Sequence, residues 1–488
     1  MVKKKSNEVF RGGKLLGRSV KEDHPFVQEK IEKSLKLSIK EGSSSAVSFG
    51  FGLSYFSAFA LAMEATASQI GILHAVVGLL PSIIQLKGSQ LIGKFSRKRI
   101  VLWGVLSQVL IMIPMILSGI LFLMGVPYVV WAFIVCVGIY YSASGIDHPA
   151  WFSWMGSLVP EENRGKYFSK RNKVAGLFSI LTLISGALIL DNARKIGGNY
   201  GEALGFTIMA FGLLFLLSSI ARFYAWTLFV RQYEPKLTVR KKDGFSFWEF
   251  LKMAPDNPFG RFAIFRGFIS ISIGLAAPFW TVYMLRDLGF SYIWFIAITV
   301  SATLFQLAFF PLLGKYSDRF GNVKLMKTCS GLLFFLPLLW VASAFIGNPL
   351  IVKLYLIFIP QMLAGFVFAG YNLATSNYVY DAVSKEKWGI GNAYMNLMVG
   401  VGTFIGAAIG SLIVWIGVPF MNTILFVFLV SAIARFFVVS FGTKYLKEVR
   451  EVKRCPSGYI MTQIDPTEGL TREFHRLGHI VEKVDHYI

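Results

Sequence analysis

Twelve long apolar stretches, separated by short connections, leave this chain very few folds. They run Ser45–Ala62, Gln69–Leu86, Ile100–Leu123, Pro127–Trp151, Val174–Leu190, Leu204–Phe229, Phe262–Leu285, Tyr292–Leu313, Leu325–Ile346, Leu350–Tyr378, Trp388–Ile416 and Phe420–Phe441. Lipid offers no partner for a free backbone N–H or C=O, so a crossing segment must satisfy its own as a helix of about 20 mainly apolar residues. Composition agrees: 55% of residues are hydrophobic and 16% charged, with a mean hydropathy of +0.57, far above an ordinary soluble domain. The expectation is an all-α polytopic membrane protein with twelve transmembrane helices, its surface solvated by the lipid bilayer.

Lys and Arg outnumber Asp and Glu by 49 to 27, a net charge of +22. Their placement argues against nucleic acid as a partner. They gather in the connections after spans two, four, six, eight and ten: Lys94/Arg97/Lys98/Arg99, Arg164/Lys166/Lys170/Arg171, Arg231 to Lys252, Lys315/Arg319/Lys324/Lys327 and Lys385/Lys387. The intervening connections are nearly free of them, Arg194/Lys195 and Arg286 excepted. By the positive-inside rule both termini and the central loop are cytoplasmic, and the plasma membrane is the expected location. Met1 to Gly42 has no uninterrupted apolar core and is not a signal peptide. Val27, Ile31, Leu35 and Ile39 recur every four residues among Lys30, Lys33, Lys36 and Lys40, as in an amphipathic helix lying on an anionic leaflet; the competing reading is an unstructured basic tail. The polar C-terminal tail opens a short helix at Asp465-Pro466. Cys136, Cys329 and Cys455 are scattered and suit neither a disulfide framework nor a metal site, and no cofactor is expected.

The chain also repeats itself. Gly314-Lys315-Tyr316-Ser317-Asp318-Arg319-Phe320-Gly321 has an imperfect copy in Gly93-Lys94-Phe95-Ser96-Arg97, 221 positions upstream. Gly165 and Asn172 recur as Gly389 and Asn396 (offset 224), and Ser219-Ile220-Ala221-Arg222-Phe223 as Ala432-Ile433-Ala434-Arg435-Phe436 (offset 213). Landmarks repeated once at half-length mean two homologous halves, and in a membrane protein that points to a transporter with its site between them. The organisation expected is a cytoplasmic tail (1–42), a six-helix bundle (43–230), a cytoplasmic loop (231–260), a second bundle (261–442) and a cytoplasmic tail (443–488).

Over roughly residues 43–442 the chain resembles the major facilitator superfamily. The loop signature of that family, Gly-x-x-x-Asp-Arg-x-Gly followed by basic residues, is matched by Gly314, Asp318, Arg319, Gly321 and Lys324. The first-half copy keeps Gly93 but has Arg97 where the Asp belongs, and the change of offset implies about three missing residues. Leu158-Val159-Pro160-Glu161-Glu162-Asn163-Arg164-Gly165 is similar to a further stretch of the family. The resemblance implies a monomeric secondary transporter of a small solute. It does not supply the substrate: span four lacks the Arg and span five the Gly-Pro pair of proton-coupled drug exporters, and the sugar-porter signature is absent. It further implies a lock in which Asp381, ending span ten, pairs with Arg319, while Asp318 faces the start of span five near Lys170 to Asn172. The first half lacks both acids, with Arg97 and Ser157 in their places.

Charges inside spans are costly and usually functional. Asp147 and His148 lie in span four, where Ser144, Asp147, Trp151 and Trp154 share a helix face. One reading is a cation or proton site walled by aromatics. The other follows from depth: about 30 Å from Pro127, Asp147 sits near the cytoplasmic mouth, where a gating or structural role fits. At mid-height fall Ser54/Tyr55, Tyr140/Tyr141, Ser272/Gly274 and Gln361, to which Asn372 is added as a polar residue of span ten. None is charged, which suggests a neutral or amphipathic solute. His74 reads as an interior histidine, and Arg222 and Arg435 as residues that snorkel or cap carbonyls. Gly402, Gly406 and Gly410 form a smooth ridge for close packing in span eleven, expected against span two. Six scattered histidines assemble no nucleophile–base set, so an enzyme is not expected. The alternative to a transporter is a facilitator-like protein that serves as receptor, chaperone or scaffold.

Overall fold

The apolar stretches become helices whose ends are set by short-range chemistry. Thr66 accepts from the backbone of Gln69, whose side chain returns to the Thr66 backbone, a capping box opening the second span. Asn257-Pro258, Asn348-Pro349 and Asn422 open three others with side-chain caps. The computed structural model describes residues 25–92, 94–160, 164–235, 247–383 and 388–450. Among these, twelve helices are long and apolar enough to cross a membrane: Val27–Ala62, Ala67–Gly88, Arg97–Leu123, Val129–Leu158, Tyr167–Asn199, Ala203–Arg231, Pro258–Asp287, Tyr292–Phe320, Asn322–Phe345, Pro349–Ala382, Gly391–Ile416 and Thr423–Tyr445. They form two bundles of six, spans one to six and seven to twelve, joined along spans two and eleven and along spans five and eight. The fold is all-α. Gly93 and the tails before Pro25 and after Arg450 lie outside the described residues.

Two departures from the apolar pattern are informative. The segment expected to lie on the leaflet is continuous with the first span, one helix from Pro25 to Phe51. Its Ser34, Ser38 and Glu41 are buried, because each finds a partner in the bundle: Ser34 accepts from Tyr233 N, Ser38 donates to Met155 Sδ, and Glu41 meets Arg171. The second departure is a pair of helix interruptions. Span one breaks at Gly52 and resumes after a single turn at Leu53–Tyr55; span seven breaks at Ala277-Pro278 and continues through a π-turn at Tyr283–Asp287. Gly52 and Ala277 stand 225 positions apart, so the same place in each half is interrupted.

The glycine ridge of span eleven faces span seven of its own bundle, not span two. A Cβ on Gly402, Gly406 or Gly410 would meet the carbonyl oxygens of Gly267, Ile271 and Leu275. The seam to span two uses other positions, with Gly71 against Ser411, Gly78 against Thr403 and Gly400 against Ser82. Gly406→Val is therefore expected to force spans seven and eleven apart and to cost about 1–3 kcal/mol, read as a lowered melting temperature in detergent. An unchanged melting temperature would reject the close contact.

The buried apolar residues define the overall shape. At the end away from the Lys/Arg-rich connections, both bundles contribute to one cluster: Phe59, Phe133, Phe211 and Phe215 from the first, Phe279, Tyr283, Trp340 and Phe428 from the second. At the basic end they separate. Val101, Trp154, Met155 and Phe229 form a first-half cluster, and Phe262, Met326, Val367 and Tyr378 a second-half one. One buried apolar cluster is thus shared by both bundles at one end, whereas at the other each bundle has its own, with Leu86 of span two packed against the second-half one.

Candidate functional site

Inside the first bundle a chain of polar side chains links five spans. Asp147 (span four) accepts from Gln108 Nε2 (span three) at 2.8 Å and lies 3.8 Å from the Arg222 guanidinium (span six). Arg222 donates to Gln108 Oε1 and to Ser45 Oγ, each at 2.8 Å. Ser45 in turn donates to Glu41 in span one, whose other oxygen holds Arg171 of span five at 2.9 Å. The Arg171 guanidinium also sits over the Trp151 ring, 4.8 Å from its centre. Two acids and two arginines balance, which is how a charge survives in a low-dielectric interior. A Cβ on Gly104 would fall 2.6 Å from that of Asp147, and one on Gly42 2.7 Å from the Arg171 guanidinium, so both glycines make room for the network.

Asp147 and His148, adjacent in sequence, point apart because neighbours on a helix are separated by about 100°. Asp147 turns into the bundle, while His148 is exposed with its ring 6.1 Å from Trp151. Trp154 is fully buried and donates to the Tyr233 carbonyl at the basic end. In the sequence Arg222 reads as a residue that snorkels or caps carbonyls and Arg171 as part of a basic connection, and neither Glu41 nor Gln108 is singled out.

Among the described residues, Arg435 and Arg266 of the second bundle have no carboxylate beside them. Arg435, the repeat of Arg222, is 2% exposed; it donates to the Leu333 carbonyl, and its Nε has no partner. Tyr371 stands 224 positions after Asp147, 3% exposed and with its hydroxyl unpartnered. Over its ring, 5.4 Å from the centre, lies the guanidinium of Arg266 in span seven, with a buried and unpartnered Nε.

At the basic end each bundle carries a clasp built from the chain leaving its sixth helix. In the first, Glu234 accepts from Arg97 N at 2.8 Å, and the Arg97 side chain reaches Ser157 Oγ, the Ser153 carbonyl and the Pro235 carbonyl. In the second, Glu448 accepts from Val323 N, Asn322 donates to Asp381, and Tyr378 donates to the Lys447 carbonyl as Trp154 does to Tyr233. Arg97 opens the third span of its bundle as Asn322 opens span nine, so by position in the fold Arg97 matches Asn322, not Asp318. Arg97 is 1% exposed. Asp318 and Arg319 are exposed, with Arg319 over the Phe320 ring, and Asp381 is held by Asn322 at 2.6 Å. Gly314 and Lys324 flank this clasp, and Gly321 takes φ +93° at the junction of spans eight and nine, where glycine avoids strain. Arg164 and Gly165 open the helix of span five; their side chains lie outside the described set.

At the opposite end a polar contact joins the apolar ones that cross between bundles. Span eight starts after Ser291, whose side chain makes no cap. Its first two amides, Tyr292 N and Ile293 N, donate instead to the two carboxylate oxygens of Asp191 in span five, at 2.8 and 2.9 Å. Beside this latch a cavity of about 700 Å³ is lined by Glu64, Thr66, Arg194, Thr207, Arg286 and Tyr292 among others.

The mid-height candidates fall into two groups. Tyr55 and Tyr140 are buried in the first bundle, Tyr55 donating to the Leu183 carbonyl and Tyr140 packing on Phe56. Ser54, at the break of span one, donates to the Phe49 carbonyl. Tyr141 and Gln361 are half-buried, and Asn372 is exposed. His74 lies 3.1 Å from Ser57 Oγ.

The chain matches the Major Facilitator Superfamily over residues 42–351 and 262–458. No curated protein matches it. Among solved structures, it is similar to the nucleoside transporter NupG (TM-score 0.61, 14% identity, 86% of this chain and 100% of that one). It is similar also to an auto-inhibited POT family peptide transporter (0.63, 12%, 87% and 99%). A bacterial homologue of the iron transporter ferroportin in an inward-facing state is a third (0.57, 14%, 86% and 99%). Identities this low speak for the fold alone.

Proposed function

Because this chain belongs to the major facilitator superfamily, a family of transporters rather than enzymes, we propose that it is a secondary transporter of a small amphipathic organic solute, working by alternating access. One observation carries the reading. A single apolar cluster spans both bundles at one end, whereas the basic end holds two separate clusters. If the basic end is cytoplasmic, as the Lys/Arg bias supports, this is an inward-open state. The matching interruptions in spans one and seven give each half a joint at which its end can move. Asp191, capping a helix of the other half, supports a latch that opens as the basic end closes.

Proton coupling falls to Asp147 in this reading, since a change of its charge would unbalance a network touching five spans. Counterflow of candidate solutes in proteoliposomes tests the transporter. Exchange above protein-free vesicles is expected, with Asp147→Asn losing the pH dependence of uptake. No counterflow across a broad metabolite panel would favour a receptor or scaffold, and a retained pH profile would move coupling elsewhere.

A further inference from the structure

The duplication of the intramembrane arginine without its acid has a chemical consequence. In the first bundle Arg222 is answered by Asp147 and Arg171 by Glu41. In the second, Arg435 and Arg266 have no carboxylate partner among the described residues. The acids of its described spans are Asp287, Asp318 and Asp381, and all three sit at helix ends. Asp287 is engaged by Asn422 and Arg286, Asp318 is exposed, and Asp381 is engaged by Asn322. None reaches the middle of the bundle. Arg266, about 12 Å along span seven from Pro258, has an idle buried Nε above a tyrosine whose hydroxyl is also buried and idle. Arg435 is buried and Arg266 half-buried; a cation inside a membrane span with no counter-ion among the described residues is costly, and intramembrane charges commonly mark substrate pathways.

We infer that Arg266 and Tyr371 form an anion site that receives the carboxylate or phosphate group of the transported solute, so that the solute is an organic anion with an apolar body. The guanidinium supplies charge and a planar donor edge, and the tyrosine hydroxyl a second donor. Arg435, held by the Leu333 carbonyl, adds long-range attraction beside the same buried cluster, to which Leu333 and Tyr371 both belong. The apolar body packs among aromatic side chains such as the Tyr371 ring. The first bundle, already neutral, offers no equivalent demand for an anion. This inference rests on the transporter reading for its cargo, but the site itself is defined by binding.

The test uses the full-length purified chain in detergent, following its melting temperature against benzoate, phenyl phosphate and the neutral benzamide. Either anion is expected to raise the melting temperature, and benzamide is not. Arg266→Gln should weaken the apparent anion affinity by roughly tenfold or more, Tyr371→Phe should weaken it less, and Arg266→Lys should keep part of it. Without anion, Arg266→Gln should melt higher than the parent, because it removes an uncompensated charge. A lower melting temperature for anion-free Arg266→Gln, or no response to either anion, would overturn the site. Stabilisation by phosphatidylglycerol in mixed micelles, absent with phosphatidylcholine and with both small anions, would assign the arginine to a lipid headgroup and overturn the solute site. Anion binding with no flux in vesicles leaves the site standing and rejects the transporter. Counterflow of a neutral solute unaffected by Arg266→Gln does the reverse.

Discussion

Asp191→Ala is expected to move the protein toward a state open at the end where the bundles now meet. Asp191 is the one described carboxylate that caps a helix of the opposite bundle, and it accepts from both opening amides of span eight. Hydrogen bonds to a charged acceptor contribute about 1.5–3 kcal/mol each, but removing Asp191 lets water reach the freed amides and recovers part of that. A net loss of about 2–3 kcal/mol would shift a two-state equilibrium roughly 30- to 150-fold. The helix dipole adds to the same sign, because the carboxylate lies at its positive end. Asp191→Asn keeps an acceptor without the charge and should fall between. The measurement is labelling of a single cysteine at Thr207, which lines the adjacent cavity, in a background without Cys136, Cys329 and Cys455. A rise in labelling rate with Asp191→Ala, graded through Asp191→Asn, is expected. Identical rates in all three would remove the latch.

Breaking the first-half network should have the largest effect on stability. Arg222→Leu strips Asp147 of its cation and leaves the carboxylate buried against Gln108 alone. Removing one partner of a buried ion pair costs about 3–5 kcal/mol, while replacing both by neutral groups can be nearly free. Arg222→Leu is therefore expected to lower the melting temperature in detergent sharply, and Asp147→Asn combined with Arg222→Leu to restore most of it. The sign of the coupling is the point: two independent losses would add, whereas a charge-balanced pair compensates. A double variant as damaged as the sum of its singles would show that packing, not charge, holds these residues.

Much of the fold could be read before any coordinates. Lipid imposes the same requirement on every crossing segment, so the twelve helices and their alternating basic connections follow from counting apolar residues and arginines. The starts of spans one and five were legible less well. The apolar pattern begins at Ser45 and Val174, whereas the helices begin at Pro25 and Arg164. In both cases the extra turns hold charges, Glu41 in one and Arg171 in the other, so the first segment reads as a surface helix and the second as a connection.

Hydropathy scores residues one at a time, and Glu41 and Arg171 are acceptable inside only as a pair. The same limit hid Gln108, the partners of Arg222, the match of Arg97 with Asn322 at the start of the third span of each bundle, and the choice of span seven as the partner of the glycine ridge. Sequence alone determined the helices, their number, their duplication and the family they resemble, because those depend on local composition and period. Tertiary structure decided which charges neutralise each other, which arginines stay unanswered and at which end the bundles meet. Electrostatic cost in a low-dielectric interior belongs to groups a few ångströms apart in space, whatever their separation along the chain.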